Sequence, residues 1–278
     1  MSNRLKDLLK GKLTEKELIM VPSSFDVVGN ILIFSDFPAE LKKKERLIGE
    51  EILKSHKNVK SVFKKTKKYS GKYRTPKLKL IAGENKKDTE HKENNARLKL
   101  DVEKVYFSSR LSTERKRIFG QIKKNENILV MFSGCGAYPI VIARNTDAKE
   151  IYGIEINPIA HKYALENLKL NKVENKIRLF LGDVKKILPK INKKFGRILM
   201  PLPKGAENYL DLALNKIKKN GIMHFYTFSE EDNYRSISET IRKECKKQKK
   251  KCKILGIVKC GHFSPKVFRI CVDFRVSW

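Results

Sequence analysis

The chain is poor in the residues that mark several protein classes. It has one tryptophan and five cysteines in 278 residues. The cysteines, Cys135, Cys245, Cys252, Cys260 and Cys271, are odd in number and none stands in a CxxC pair. A disulfide framework and a zinc site are therefore not expected, and no metal is assigned. No run approaches the ~18 consecutive apolar residues that a membrane helix needs. The first residues, MSNRLKDLLKGKLTEKEL, are charged throughout and carry no apolar signal segment, so a cytoplasmic protein is expected. Acidic residues are scarce as well: 31 Asp+Glu face 62 Lys+Arg, a net charge of +31. Such an excess repels itself and favours a polyanionic partner, nucleic acid first. A lysine-rich composition is the plainer source of the same charge. Apolar residues still make up 40%, enough for a sizeable core.

The hydrophobic pattern divides the chain. Residues 3–19 carry leucines loosely at helical spacing, 25–34 read as a strand turned at Gly29-Asn30, and 39–55 as a charged amphipathic helix. KKTKKYSGKYR (64–74) reads as an exposed basic loop. It is either a solvated charge run or a phosphate-contacting loop whose tyrosines can stack on bases. Residues 86–95 are polar and turn-like, and Leu98, Leu100 and Val102 alternate as in a half-buried strand. Residues 111–124 form a basic helix, with Thr113-Glu114 suited to its N-terminal cap. From residue 126 strands and helices alternate, which predicts a doubly wound α/β sheet. Two late strands, 252–260 and 266–276, suit an antiparallel hairpin at the sheet edge. That ending is the pattern of class I methyltransferases rather than dehydrogenases. The expected division is a small N-terminal α+β domain over 1–104 and a Rossmann-like domain over 105–278; the sequence leaves the oligomeric state open, with a monomer favoured.

ENILVMFSGCGAYPIVIA (126–143) places Gly134-Cys135-Gly136 between two apolar runs. The dinucleotide fingerprint needs a third glycine where this chain has Pro139. The turn suits a smaller adenosine cofactor without phosphates, such as S-adenosylmethionine. Glu155 follows Gly136 by 19 residues, the interval of one βαβ step, and its carboxylate can take both ribose hydroxyls. The next strand ends in Gly182-Asp183-Val184, where Asp183 can accept the adenine amino hydrogen. Val130 stands where an acidic residue usually meets the cofactor's amino group.

Four stretches carry a resemblance: HKENNARLKLDVEKVYFSSRLSTERKRI, MFSGCGAYPIVIA, GIEINP and MPLPKGA, in this order. Together they resemble the archaeal and eukaryotic tRNA guanine-37 N1-methyltransferase family, over roughly residues 24–278. The wybutosine-pathway aminocarboxypropyltransferase is its close relative. Ala82-Gly83-Glu84 and Arg110-Leu111-Ser112-Thr113-Glu114-Arg115 match the methyltransferase branch. The extra small N-terminal domain of many archaeal members is not expected here.

The resemblance implies tRNA as partner, held at its anticodon stem-loop, and S-adenosylmethionine as cofactor. It places Arg74, Tyr106, Arg110 and Glu114 toward the target guanine and the cofactor. Guanine N1 must lose a proton as it gains a methyl, and Glu114 is the candidate base. Negative charge grows on O6, and Arg74 is its candidate stabiliser. Tyr106 orients the cofactor or stacks near the base. The cofactor set implied is Tyr106, Arg110, Phe132, Gly134, Gly136, Glu155, Asn157, Asp183, Val184 and Pro203. The departure is Met200-Pro201-Leu202-Pro203-Lys204, where the family has Asn in the slot of Pro201. A positioning contact to the base is lost, or Lys204 or a backbone carbonyl replaces it. Aminocarboxypropyl transfer and a non-catalytic tRNA-binding relative stay open as alternatives.

Overall fold

The computed structural model describes residues 2–264 and 266–278. The chain folds into two compact units. One comprises Met1–Lys92 and Arg97–Arg110; the other comprises Glu93–Ala96 and Leu111–Trp278.

The first unit opens with two short helices, α1 (Ser2–Leu9) and α2 (Glu15–Met20). The single helix expected over 3–19 is broken because Gly11 adopts φ +76° and Thr14 caps α2. Its side chain accepts from Glu17 N, while the Glu17 carboxylate accepts from Thr14 N at 2.8 Å. β1 (Phe25–Val28) and β2 (Ile31–Phe34) form an antiparallel hairpin, turned at Gly29-Asn30 as the sequence suggests. Gly29 has φ +56°, and a Cβ there would stand 2.1 Å from Thr89 Oγ1, so only glycine fits. A 3-10 turn over Ala39–Lys44 leads into α3 (Glu45–Ser55), which crosses to β3 (Ser61–Ser70), parallel to β2. β4 (Thr75–Gly83) returns antiparallel and completes a sheet of order β1-β2-β3-β4. Leu32, Phe34, Ile48, Ile52 and Val62 are fully buried in its core.

The basic loop expected over 64–74 is instead mostly strand: it is the end of β3 and the turn into β4. Beyond Lys64, which still pairs with Phe34, β3 runs on with β4 as a two-stranded arm, where alternate side chains can face water without breaking the ladder. The side chains of 68–70, Tyr69 among them, lie outside the described residues; Tyr73 is exposed. The polar stretch 86–95 is also a strand in part. β5 (Asp88–Glu93) pairs with β6 (Ala96–Asp101) as a two-stranded ribbon, turned at Asn94 and Asn95 with φ +43° and +60°. Two-stranded ribbons need little apolar content, which is why composition disguised this one.

The second unit begins with α4 (Ser112–Phe119), whose N-cap is Leu111 with no side-chain cap bond. The expected cap at Thr113-Glu114 therefore falls inside the helix. β7 (Asn127–Met131), α5 (Ala137–Asn145), β8 (Glu150–Glu155), α6 (Pro158–Asn171), β9 (Ile177–Leu181), α7 (Val184–Ile187) and β10 (Phe195–Met200) follow. Next come α8 (Leu210–Lys216), β11 (Ile217–Ser229), α9 (Tyr234–Lys247), β12 (Lys251–His262) and β13 (Phe268–Ser277). The sheet order is β12-β13-β11-β10-β7-β8-β9. β13 runs antiparallel to both β11 and β12, and the remaining pairs are parallel. The strand order reverses at β7, between β10 and β8. In such sheets the crevice at the carboxyl ends of the strands beside this reversal takes the ligand. Leu129, Ile154, Phe195, Ile198, Met223 and Phe274 are buried in the core beneath it. No helix among the described residues is long and apolar enough to cross a membrane.

Candidate active site

The end of β7 turns sharply. Phe132 holds φ +60°, uncommon for a bulky side chain, and Gly134 and Gly136 follow at +58° and +85°. A Cβ on Gly136 would come within 2.9 Å of Ile140 Cδ1, so the turn packs on its own helix. Glu155, at the end of β8, ties this turn down. Its Oε2 accepts from Gly134 N and its Oε1 from Asn157 N, each at 2.7 Å. Burial raises the Glu155 pKa, against the lowering effect of these backbone donors. Asn157 caps α6, accepting from Ile159 N at 3.0 Å, with Pro158 at the first helical position. Asp183, after β9, caps α7 through Oδ1, which accepts from Lys185 N at 2.9 Å; Val184 behind it is buried. After β10, Pro203 is buried and its carbonyl accepts from Phe228 N at 3.2 Å.

Phe132, Gly134, Gly136, Glu155, Asn157, Asp183, Val184 and Pro203 thus share the carboxyl edge of four adjacent strands. The turn also holds Ser133 Oγ, buried and with no hydrogen-bond partner among the described residues. A buried hydroxyl left in this way suits a polar ligand group. Val130 is fully buried, paired across β7 with Gly153 and Leu199. An acidic side chain would be out of place at that point. Pro201 is half-buried and Lys204 is exposed. Leu202 N donates to Met200 O at 2.7 Å, a tight turn that holds the segment without an Asn.

Glu114 lies on α4 and its side chain is 3% exposed. Arg117 Nε and Nη2 donate to its two oxygens at 2.7 and 2.8 Å, and Tyr226 Oη donates to Oε1 at 2.7 Å. Tyr138 Oη donates in turn to Tyr226 Oη at 3.1 Å. Arg115, beside Glu114, is buried and paired in fork geometry with Glu93. These contacts turn the ERKR stretch into a built site. Of this cluster, the sequence alone points only to Glu114. Arg117 also pairs with Asp273, and Asp273 with His224; the signal for these two is polar residues inside apolar strands, His224 in GIMHFYTF and Asp273 in ICVDFRV.

The other three expected residues belong to the first unit. Arg74 closes the turn between β3 and β4 with φ +51°, its N donating to Gly71 O at 3.2 Å. Tyr106 is half-buried. Arg110 is exposed and paired with Asp26 at 2.5 Å.

Two family models match: a TRM5/TYW2 methyltransferase domain over residues 89–255 and a TYW2 N-terminal domain over 5–86. A tRNA (guanine(37)-N(1))-methyltransferase, Trm5b of Pyrococcus abyssi, is 44% identical across 93% of this chain and 76% of its own length. The crystal structure of that enzyme superposes with a TM-score of 0.87 at 42% identity, covering 96% of this chain and 79% of the other. TYW2 of P. horikoshii in complex with MeSAdo is 26% identical with a TM-score of 0.81, covering 100% and 99%. A glycine turn clamped by Glu155 and the buried carboxylate of Glu114 sit on a scaffold shared with these enzymes, and the chain belongs to the TRM5/TYW2 methyltransferase family.

Proposed function

We infer that this protein methylates N1 of guanosine 37 in tRNA, with S-adenosylmethionine as donor. The observation that carries the reading is Glu114. It is a buried carboxylate in the matching motif of a chain 44% identical to a guanine-37 N1-methyltransferase. Phe132, Gly134, Gly136, Glu155, Asn157, Asp183, Val184 and Pro203 would hold the cofactor, which supplies a sulfonium methyl when bound. In the glycine turn, Ser133 Oγ offers an unused polar atom. Glu155 has a lone pair left for a ribose hydroxyl beyond the backbone bonds from Gly134, Ile156 and Asn157.

Glu114 receives the N1 proton. Arg74, Tyr106 and Arg110 keep the roles that the motif match implies, as residues to test by substitution. The +31 net charge suits the phosphates of an anticodon stem-loop, and a base inside a stacked loop must be turned out to react. The setting is the cytoplasm, where tRNA is modified.

A second reading, aminocarboxypropyl transfer, draws on Pro201 in the Asn slot and on the TYW2 N-terminal match over 5–86. Mass spectrometry of nucleosides separates the two. Transcript tRNA bearing G37 is incubated with protein and S-adenosylmethionine. N1-methylguanosine, absent with Glu114→Ala, is expected. A product one aminocarboxypropyl group heavier, or no product while tRNA still binds, overturns the leading reading.

A further inference from the structure

Arg117 does not belong to Glu114 alone. Its Nη1 donates to Asp273 Oδ2 at 2.5 Å, while Nε and Nη2 hold the two oxygens of Glu114. Asp273 accepts further from Gln121 Nε2 at 3.4 Å and from Cys271 Sγ at 3.2 Å. Behind it stands His224, with no exposed surface, whose Nδ1 lies 2.6 Å from Asp273 Oδ1. Arg197 Nη1 lies 2.7 Å from His224 Nε2. A guanidinium only donates, so Nε2 must accept and Nδ1 must carry the hydrogen that goes to Asp273. His224 is thereby fixed as a neutral imidazole in one tautomer. Arg197 is itself paired with Glu126 at 2.8 Å. The ligand atoms of His224, Cys271 and Asp273 lie within 4.8 Å of one another, a spacing that suits a cation. His224 has no lone pair to give one, because both ring nitrogens are engaged.

We propose that Asp273 is a positioning residue for methyl transfer: it shares Arg117 with Glu114 and keeps that guanidinium paired while Glu114 takes the N1 proton. This rests on the reading of Glu114 as the base. In the step, the N1–H bond breaks and its electron pair forms the N1–CH3 bond. The pair of the broken S–CH3 bond stays on sulfur, and the proton lands on the Glu114 carboxylate. Carboxylate and sulfonium both become neutral, so charge balances. At that moment Arg117 loses an anionic partner that it cannot replace by giving up its own proton. Asp273 remains as its counter-charge. The two carboxylates differ in their partners: Asp273 accepts from His224, Arg117, Gln121 and Cys271, and Glu114 from Arg117 and Tyr226, with the Cys260 thiol beside it. On the reading of Glu114 as the base, Glu114 takes the proton and Asp273 stays the anion.

Removal of the Asp273 charge has a definite consequence. With Asn at 273, Arg117 holds Glu114 as its only anion, which stabilises the carboxylate and makes it a poorer base. The other titratable groups facing Glu114 are Tyr226 on β11, Cys260 on β12 and Cys271 on β13, with Tyr138 on α5 behind Tyr226. Burial raises the pKa of all four, which keeps them neutral, so none supplies the negative charge that is lost.

The test is single-turnover methyl transfer to G37 tRNA between about pH 5 and pH 9, for the full chain and its variants, after cofactor binding has shown each to be folded. Asp273→Asn is expected to slow transfer about tenfold, with its acid limb displaced about one pH unit downward and KM for tRNA within about twofold. A slow variant whose acid limb stays in place makes Asp273 merely structural and overturns the proposal, as does an unaltered rate. His224 supplies a second measurement. His224→Gln retains an N–H for Asp273 and a carbonyl for Arg197, and should recover most of what His224→Leu loses. Equal losses in the two overturn the tautomer argument. Should Glu114→Gln methylate as fast as the unaltered chain, the base reading itself fails, and that result is distinct from an unmoved limb in Asp273→Asn.

Discussion

Glu155 Oε2 accepts a hydrogen bond from Gly134 N at 2.7 Å, so the carboxylate that ends β8 clamps the glycine turn that ends β7. One side chain serves two tasks here: it shapes the loop and presents acceptors to a ligand. Glu155→Gln keeps the size of the side chain and removes its charge. One amide oxygen cannot replace both carboxylate oxygens toward Gly134 N and Asn157 N. A hydrogen bond to a charged group is worth about 1.5–3 kcal/mol. Affinity for S-adenosylhomocysteine, measured by calorimetry, should fall by about 10- to 100-fold on that scale. Thermal stability should fall as well, since the turn loses an anchor. Unaltered affinity would separate Glu155 from the cofactor and leave it a loop clamp only.

The family resemblance implies an Asn where this chain has Pro201. Proline offers no side-chain donor or acceptor, whereas an Asn amide offers both. The backbone there is already in a tight turn, with Leu202 N on Met200 O at 2.7 Å, and Pro203 behind it is buried. The scaffold for a positioning amide is therefore in place and the amide is missing. Pro201→Asn should raise the single-turnover rate of N1 methylation about tenfold, as a restored orienting contact does. KM for S-adenosylmethionine should change little. A fall in rate would show that this chain orients its base by another route and has adapted the segment around proline.

Much of this architecture is legible in the sequence. The alternation of apolar runs after residue 126 marks five parallel strands and an antiparallel ending, because buried strands leave strong periodic signatures. Gly134, Glu155 and Asp183 stand out because their spacing follows the βαβ repeat. Two elements escape for one reason. Residues 64–70 and 88–93 lie in strands rich in charge, and their inward positions are filled by polar residues such as Lys65, Thr89 and Glu93, so they carry no hydrophobic period. The carboxylate and imidazole behind Arg117 are hidden differently. Asp273 and His224 are paired neighbours on β13 and β11, 49 residues apart in sequence, and only the sheet register brings them together.

His224 allows a prediction in which unfolding, not catalysis, is measured. Burial holds its pKa below the ordinary imidazole value, and the Arg197 and Arg117 guanidinium charges reinforce this against the attraction of Asp273. In the unfolded chain it takes a proton near pH 6.5. Between that pH and its lower folded pKa, the unfolded state binds a proton that the native state refuses. Stability from this group is fully present above about pH 6.5 and is lost as pH falls below it, with a limiting slope of about 1.4 kcal/mol per pH unit. His161, also depressed by burial, adds to the total, so the difference between two proteins is the useful quantity. Urea unfolding at steps from about pH 7.5 to pH 5 should show His224→Gln slightly less stable at the top of the range. The gap should close and reverse toward the bottom, because glutamine carries no such linkage while it still joins Arg197 to Asp273. A constant gap across the range would mean that His224 is protonated in the folded protein. Arg197 would then have lost its acceptor, and the tautomer that holds Asp273 in place would be wrong.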